Sequence, residues 1–218
     1  MTRLIVTLLL STALISCSSD DASVNSEHEE TNFFGLEIGN KWEYHYYQKQ
    51  VSSEDQEFVF NGTTSTHEVI GITEIDNIDF FEIEINTEGR CAGCPPEGLS
   101  QQYLRVEDEQ LIDEDGVIQY FIGNSVGEEY LRQTFEDVMD VMIVYSGENQ
   151  FESDYGIYTN THKNLIYGIF TNTDEPTPGN EIIHFVEGIG MVYKTHTGAG
   201  SANPSTKQYL VELTSNPQ

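Results

Sequence analysis

The run Phe81-Glu82-Ile83-Glu84-Ile85-Asn86 alternates apolar and polar side chains without a break. A strand projects successive side chains to opposite faces, so this run predicts a β-strand with one dry and one wet face. The same period recurs on both sides of it. Upstream, Ile38, Asn40, Trp42, Tyr44 and Tyr46 alternate with Gly39, Lys41, Glu43, His45 and Tyr47. Near the C-terminus, Tyr209, Val211 and Leu213 alternate with Leu210 and Glu212. Turn dipeptides separate such runs: Asn61-Gly62, Asp76-Asn77, Asp115-Gly116 and Pro178-Gly179. Asn-Gly and Asp-Gly tolerate the positive φ of tight hairpins, so neighbouring strands are expected to pair antiparallel, about nine to eleven of them.

One segment has a different period. Over Glu128–Asp140, Leu131, Phe135, Val138 and the following Met142 stand at helical spacing, which predicts a short helix feeding a strand over Val141–Tyr145. The expected fold is therefore mainly β: one curved antiparallel sheet or partly open barrel with at most one short helix. No repeat and no Pro/Gly/Ser-rich linker divides residues 33–218, which read as a single β-rich domain. Asn172–Asn180 and His196–Ser205 read as loops within it.

The 218 residues carry nine Lys plus Arg against 37 Asp plus Glu, a formal net charge of −28. That field repels phosphate backbones and anionic headgroups, so no nucleic-acid partner is expected. A hydrophobic content of 38% is nevertheless enough for a packed core and argues against a disordered chain.

The N-terminus is an address. Arg3 precedes the apolar run Leu4–Leu10, and the segment closes on Leu14-Ile15-Ser16-Cys17. The run is too short to span a bilayer and suits the h-region of a secretory signal. Its close resembles the lipobox of bacterial lipoproteins, in which an apolar pair and a small residue precede the Cys that is acylated. The resemblance implies that residues 1–16 are a signal peptide removed at maturation and that Cys17 is the lipidated residue. Residues 17–32 then form the lipidated Cys and an acidic tether almost without apolar side chains. Cys17-Ser18-Ser19-Asp20-Asp21 also resembles lipoproteins of Bacteroidota, where such starts accompany export to the cell surface. The implied location is the outer membrane, on the outer face in preference to the periplasmic one.

Cys91-Ala92-Gly93-Cys94 lies in a Gly- and Pro-rich segment. Two thiols close together in an oxidising compartment favour a local disulfide between Cys91 and Cys94. A redox pair would want a helix start where Pro95 and Pro96 stand, and zinc would need two further ligands. His28, His45, His67, His162, His184 and His196 show no ligand spacing, so no metal site is expected. The acidic run Asp113-Glu114-Asp115-Gly116 fails the calcium-loop pattern, because Leu111 would hold its first place, and reads as a hairpin turn. Gly188-Ile189-Gly190 lacks the third glycine and following helix of a dinucleotide loop and suggests a bulge or close backbone approach. No nucleophile elbow or metalloprotease motif occurs, and no cofactor is expected. Trp42, Tyr44 and Tyr46 read as core, with a sugar-stacking platform as the alternative.

Phe33-Phe34-Gly35-Leu36-Glu37-Ile38-Gly39-Asn40-Lys41-Trp42-Glu43-Tyr44 resembles the opening of a group of secreted and lipid-anchored Bacteroidota proteins. Their mature domain begins with an aromatic, a Leu and Gly-Asn-x-Trp-x-Tyr. Glu187-Gly188-Ile189-Gly190-Met191-Val192 looks like the Gly-Val-Gly-Leu-Val strand near the end of the same group. Gly35 stands where Pro is common, and the Cys-x-x-Cys segment is foreign to the pattern. The resemblance implies a curved antiparallel sheet and supplies no catalytic residues. Together these signals lead to the expectation of a non-enzymatic envelope lipoprotein, held to the membrane by its anchor. Its β-rich domain would bind a lipid, glycan or other ligand. Alternatives are a structural or protein-interaction lipoprotein of an outer-membrane assembly and an envelope hydrolase.

Overall fold

Twelve antiparallel strands follow one another in a computed structural model that describes residues 33–50, 57–91, 93–136, 138–198, 201 and 203–215. Cys17, the signal segment 1–16 and the tether 17–32 lie outside the described residues. The strands are β1 Lys41–Lys49, β2 Phe58–Ile75, β3 Ile78–Glu88, β4 Gly98–Glu107, β5 Gln110–Asp113 and β6 Ile118–Phe121. The second half holds β7 Glu129–Phe135, β8 Met139–Ser153, β9 Gly156–Phe170, β10 Pro176–Val186, β11 Gly190–His196 and β12 Thr206–Thr214. All belong to one sheet in the order β6-β5-β4-β3-β2-β1-β12-β11-β10-β9-β8-β7. The chain starts mid-sheet, meanders to one edge, crosses to the other and meanders back, so β1 and β12 pair at the centre.

The sheet curls until its two edges nearly meet, giving a barrel closed by side chains where the backbone ladder stops. Asn164 on β9, fully buried, donates through Nδ2 to the Phe121 carbonyl at 3.1 Å and accepts from the Phe121 N–H at 3.0 Å. Arg132 on β7 donates to the Ile118 carbonyl at 2.8 Å and to Gln119 Oε1 at 3.0 Å. Each replaces a ladder contact that the short strand β6 cannot make, and buried backbone groups without partners are costly.

Alternation builds the core. Trp42, Tyr44 and Tyr46 from β1 meet Val69 from β2, Ile83 and Ile85 from β3, Leu104, Leu111, Val192 and Leu210, all buried. A second cluster, centred on Ile143, Ile166, Ile183 and Phe185, fills the other half. The leading run of β3 thus faces inward at Ile83 and Ile85.

The region expected to be helical is strand. In β7, Tyr130 and Arg132 turn inward while Leu131 and Phe135, with Val138 beyond the strand, are exposed. The apolar residues that mimicked a helical stripe lie on the outward side of a terminal strand, where apolar content carries no information about burial. Among the described residues the count is twelve, above the expected nine to eleven. Asp76-Asn77 forms the β2–β3 hairpin with both φ positive, and the Asp113–Val117 turn joins β5 to β6. Asn61-Gly62 and Pro178-Gly179, by contrast, sit inside β2 and β10 at register shifts, as bulges and not chain reversals. Part of the expected loop Asn172–Asn180 therefore belongs to β10, and Ile38, read as strand, is an exposed residue ahead of β1.

Candidate functional site

The two segments that carry the family-like patterns touch each other. Trp42 Nε1 donates to the Ile189 carbonyl at 2.5 Å, Tyr44 Oη to the Met191 carbonyl at 3.1 Å, and the Gly188 N–H to the Phe33 carbonyl at 2.8 Å. A Cβ on Gly190 would lie 3.0 Å from the Phe34 carbonyl oxygen, so the close approach requires glycine there. This clasp closes one end of the barrel and borders a crevice of about 110 Å³. Its walls include Leu36, Leu104 and Phe185, with His67, Gln102, Gln119 and Tyr120 supplying polar atoms.

Those polar groups are held neutral. Burial lowers the His67 imidazole to about 4 and raises the phenols of Tyr44 and Tyr120 well above their usual range. His67 Nε2 lies 3.0 Å from Ser65 Oγ, which lies 2.9 Å from Tyr46 Oη. Burial also moves the Tyr46 phenol up to about 12.

At the other end of the interior, Glu181 accepts from Lys194 Nζ at 3.1 Å and pairs with His196 Nδ1 at 3.0 Å. Burial alone would raise the Glu181 carboxyl, but Lys194 and His196 outweigh it and hold the group below its ordinary value. The Cys91–Cys94 pair, Cα atoms 5.3 Å apart and joined as a disulfide, shapes the loop over this cluster. A Cβ on Gly93 in that loop would come within 2.9 Å of the His196 ring.

The outer face carries a second aromatic array. His184 on β10, Tyr193 on β11, Tyr209 on β12 and His45 on β1 are successive cross-strand neighbours. The β8–β9 hairpin folds over them. Phe151 lies 4.4 Å from Tyr193 and 4.8 Å from His184, centroid to centroid, while Tyr155 reaches Tyr209 at 6.0 Å and hydrogen-bonds Tyr47 hydroxyl to hydroxyl. Between this hairpin and β1, β2 and β12 opens a groove of about 320 Å³ walled by Tyr47, Phe58, Asp154, Tyr155, Lys207 and Tyr209. Lys207 Nζ stands 4.2 Å from the Phe58 ring centroid, and partial burial lowers its pKa. Burial, the Tyr155 contact and the Asp154 charge raise the Tyr47 phenol, which stays a hydrogen-bond donor.

The buried alternation of Trp42, Tyr44 and Tyr46 makes them interior residues and removes them as a stacking platform. His45 and Tyr47, of the opposite parity, stand on the other face of the same strand against Phe60. The signal was available as aromatic residues of the other parity, but the partners Tyr155 and Tyr209 are too distant in sequence for any local pattern to show them. No group of three or more potential metal-ligand side chains converges among the described residues.

Neither a protein-family profile nor any curated protein sequence matches the chain. Two solved structures resemble it in fold. One, from Bacteroides fragilis NCTC 9343, is described as an exported protein with a YmcC-like fold. It aligns over 84% of this chain and 99% of its own at 9% identity and a TM-score of 0.52. The other, described as a lipoprotein of Parabacteroides distasonis ATCC 8503, aligns over 84% and 98% at 10% identity and a TM-score of 0.45.

Proposed function

We propose that this chain is a cell-envelope lipoprotein, anchored by acylated Cys17 at the outer membrane, whose barrel serves as a non-catalytic binding module. The lipobox-like Leu14-Ile15-Ser16-Cys17 and the acidic tether support the anchor. The fold shared with an exported Bacteroides protein is consistent with passage into the envelope. Two or three acyl chains at roughly 0.8 kcal/mol per buried methylene would hold the protein at a membrane through any salt wash.

One contrast carries the binding reading. Among the described residues the interior crevice measures about 110 Å³ between the protein's own side chains, whereas the outer groove measures about 320 Å³. Small-molecule sites run from roughly 300 to 1,000 Å³, so the interior is too small for a lipid and the outer groove is large enough for a small ligand. The crevice groups argue against chemistry there, since a general acid or base works best with a pKa near the operating pH. His67 at about 4 and the raised phenols of Tyr44 and Tyr120 lie far from it. A protein-interaction role is the second reading, favoured by exposed Leu131, Phe135 and Val138 at and beside the terminal strand β7.

Two measurements test the proposal. Cys17→Ser should release the protein from membranes, and retention after a high-salt wash would show that lipid is not the anchor. Native mass spectrometry of the membrane-extracted protein in mild detergent should reveal a retained non-covalent ligand. A population that carries none under every extraction condition would remove the binding module.

A further inference from the structure

We infer that the outer groove is a saccharide site and that its ligand is an uncharged sugar chain; this rests on the binding-module reading above. The walls combine aromatic rings with polar and charged groups. Tyr47, Phe58, Tyr155 and Tyr209 present ring faces and edges, with Tyr47 and Tyr209 perpendicular at 5.4 Å and Tyr155 and Tyr209 tilted at 6.0 Å. Aromatic faces carry partial negative charge and attract polarised C–H groups, which a pyranose displays on one side of its ring. The rim supplies the complementary polar half: the Asp154 carboxylate, the Lys207 ammonium and two phenol hydroxyls. A sugar edge of alternating hydroxyl donors and acceptors satisfies such a set. A hydrocarbon chain would offer none of those groups a hydrogen-bond partner.

Charge then selects within the class. The chain carries −28 and the groove wall itself holds Asp154, so a uronate, sialate or phosphorylated glycan would approach against the field. A neutral oligosaccharide does not feel that barrier. Lys207 offsets Asp154 within the groove but leaves the overall charge of the chain strongly negative, at −28. Tyr155, 38% exposed at the tip of the β8–β9 hairpin, is the exposed one among the aromatic residues of the wall. Its hydroxyl bond to Tyr47 fixes the tip at the groove mouth.

The test uses the full-length lipidated protein in detergent on an array of neutral gluco-, galacto-, manno- and xylo-oligosaccharides beside hyaluronan and polygalacturonate. Retention of at least one neutral oligosaccharide with exclusion of the two polyanions is expected. Tyr155→Ala should weaken that retention roughly tenfold, a share common for a central aromatic contact. Tyr155→Phe, which keeps the ring, should lose much less, and Asp154→Asn should weaken binding without altering the fold. No neutral oligosaccharide retained, or retention indifferent to both Tyr155→Ala and Asp154→Asn, overturns the inference. Trp42, the sole tryptophan, lines the interior crevice and separates the two levels of failure. A bound ligand that shifts its emission lies inside and refutes the saccharide site while leaving a binding module. Absence of any ligand by native mass spectrometry and on the array refutes both.

Discussion

His184→Phe should flatten the acid side of the protein's stability profile. His184 is 6% exposed on β10, packed against Phe151 and Tyr193 and paired across the sheet with Lys163 on β9. Its Nδ1 has no hydrogen-bond partner. Burial, helped by the Lys163 charge, lowers its pKa from 6.5 to about 4. Between those values the unfolded chain binds a proton that the folded chain refuses, so folding stability rises with pH across the window. The contribution is complete above about pH 6.5 and drains away as the pH falls toward about 4, a total of roughly 3 kcal/mol. His67 is lowered to a similar value and adds a second, independent drain. The net charge of −28 works in the opposite direction, since acidification relieves self-repulsion, but it acts equally on wild type and variant. Urea unfolding of both proteins at about pH 7.5 and about pH 4.5 isolates the His184 term as a difference of differences. Any packing cost of the larger ring cancels in that comparison. The variant should gain about 2–3 kcal/mol on wild type between the two conditions. Parallel profiles would mean that His184 is protonated in the fold or never desolvated.

Two further outcomes concern the seams of the barrel. Asn164→Ala strips the partners from both the N–H and the carbonyl of Phe121, fully inside the protein, and should cost about 2–4 kcal/mol with faster amide exchange at Phe121. Unchanged exchange there would show that the Asn164 bonds do not hold Phe121 in place. The Cys91–Cys94 ring is short, so Cys91→Ser with Cys94→Ser should cost only about 1–2 kcal/mol. Alkylation without reductant should label neither cysteine in the native protein, and labelling of both would refute the bond.

The class of fold was legible because one face of most strands is dry. Ile83 and Ile85 in β3 and Trp42, Tyr44 and Tyr46 in β1 obey the period of two. In β12 the buried apolar residue is Leu210, from the set opposite Tyr209, because a register shift between β1 and β12 breaks the alternation. Legibility failed where the period and burial part company. Leu131, Phe135 and Val138 are apolar yet exposed, so their spacing reported nothing about the core. Asn61-Gly62 and Pro178-Gly179 carry turn chemistry but are spent on bulges, since a long strand in a strongly curled sheet must bend somewhere. The clasp between Trp42 and Ile189 joins two patterns that lie far apart along the chain. The outer groove was beyond reach, because Tyr47, Tyr155 and Tyr209 meet only after the β8–β9 hairpin folds across β10, β11 and β12.

The position of that groove fits a protein tethered by its front end. Phe33 and Phe34 pack at the clasp, at the Gly190 end of the barrel, and β1 runs from there toward Tyr47. At about 3.3 Å per residue the six steps from Lys41 to Tyr47 place the groove about 20 Å farther along the strand. An anchor preceding Phe33 would therefore attach at the clasp end, with the groove toward the opposite end. The tether composition reinforces the separation: Asp20, Asp21, Glu27, Glu29 and Glu30 add like charge next to an acidic body, and both are repelled by anionic headgroups within a Debye length. A lipid-binding site would gain from lying against the bilayer. A site for a soluble or cell-surface sugar chain gains from standing away from it, and the clasp, the direction of β1 and the charge all favour the second arrangement.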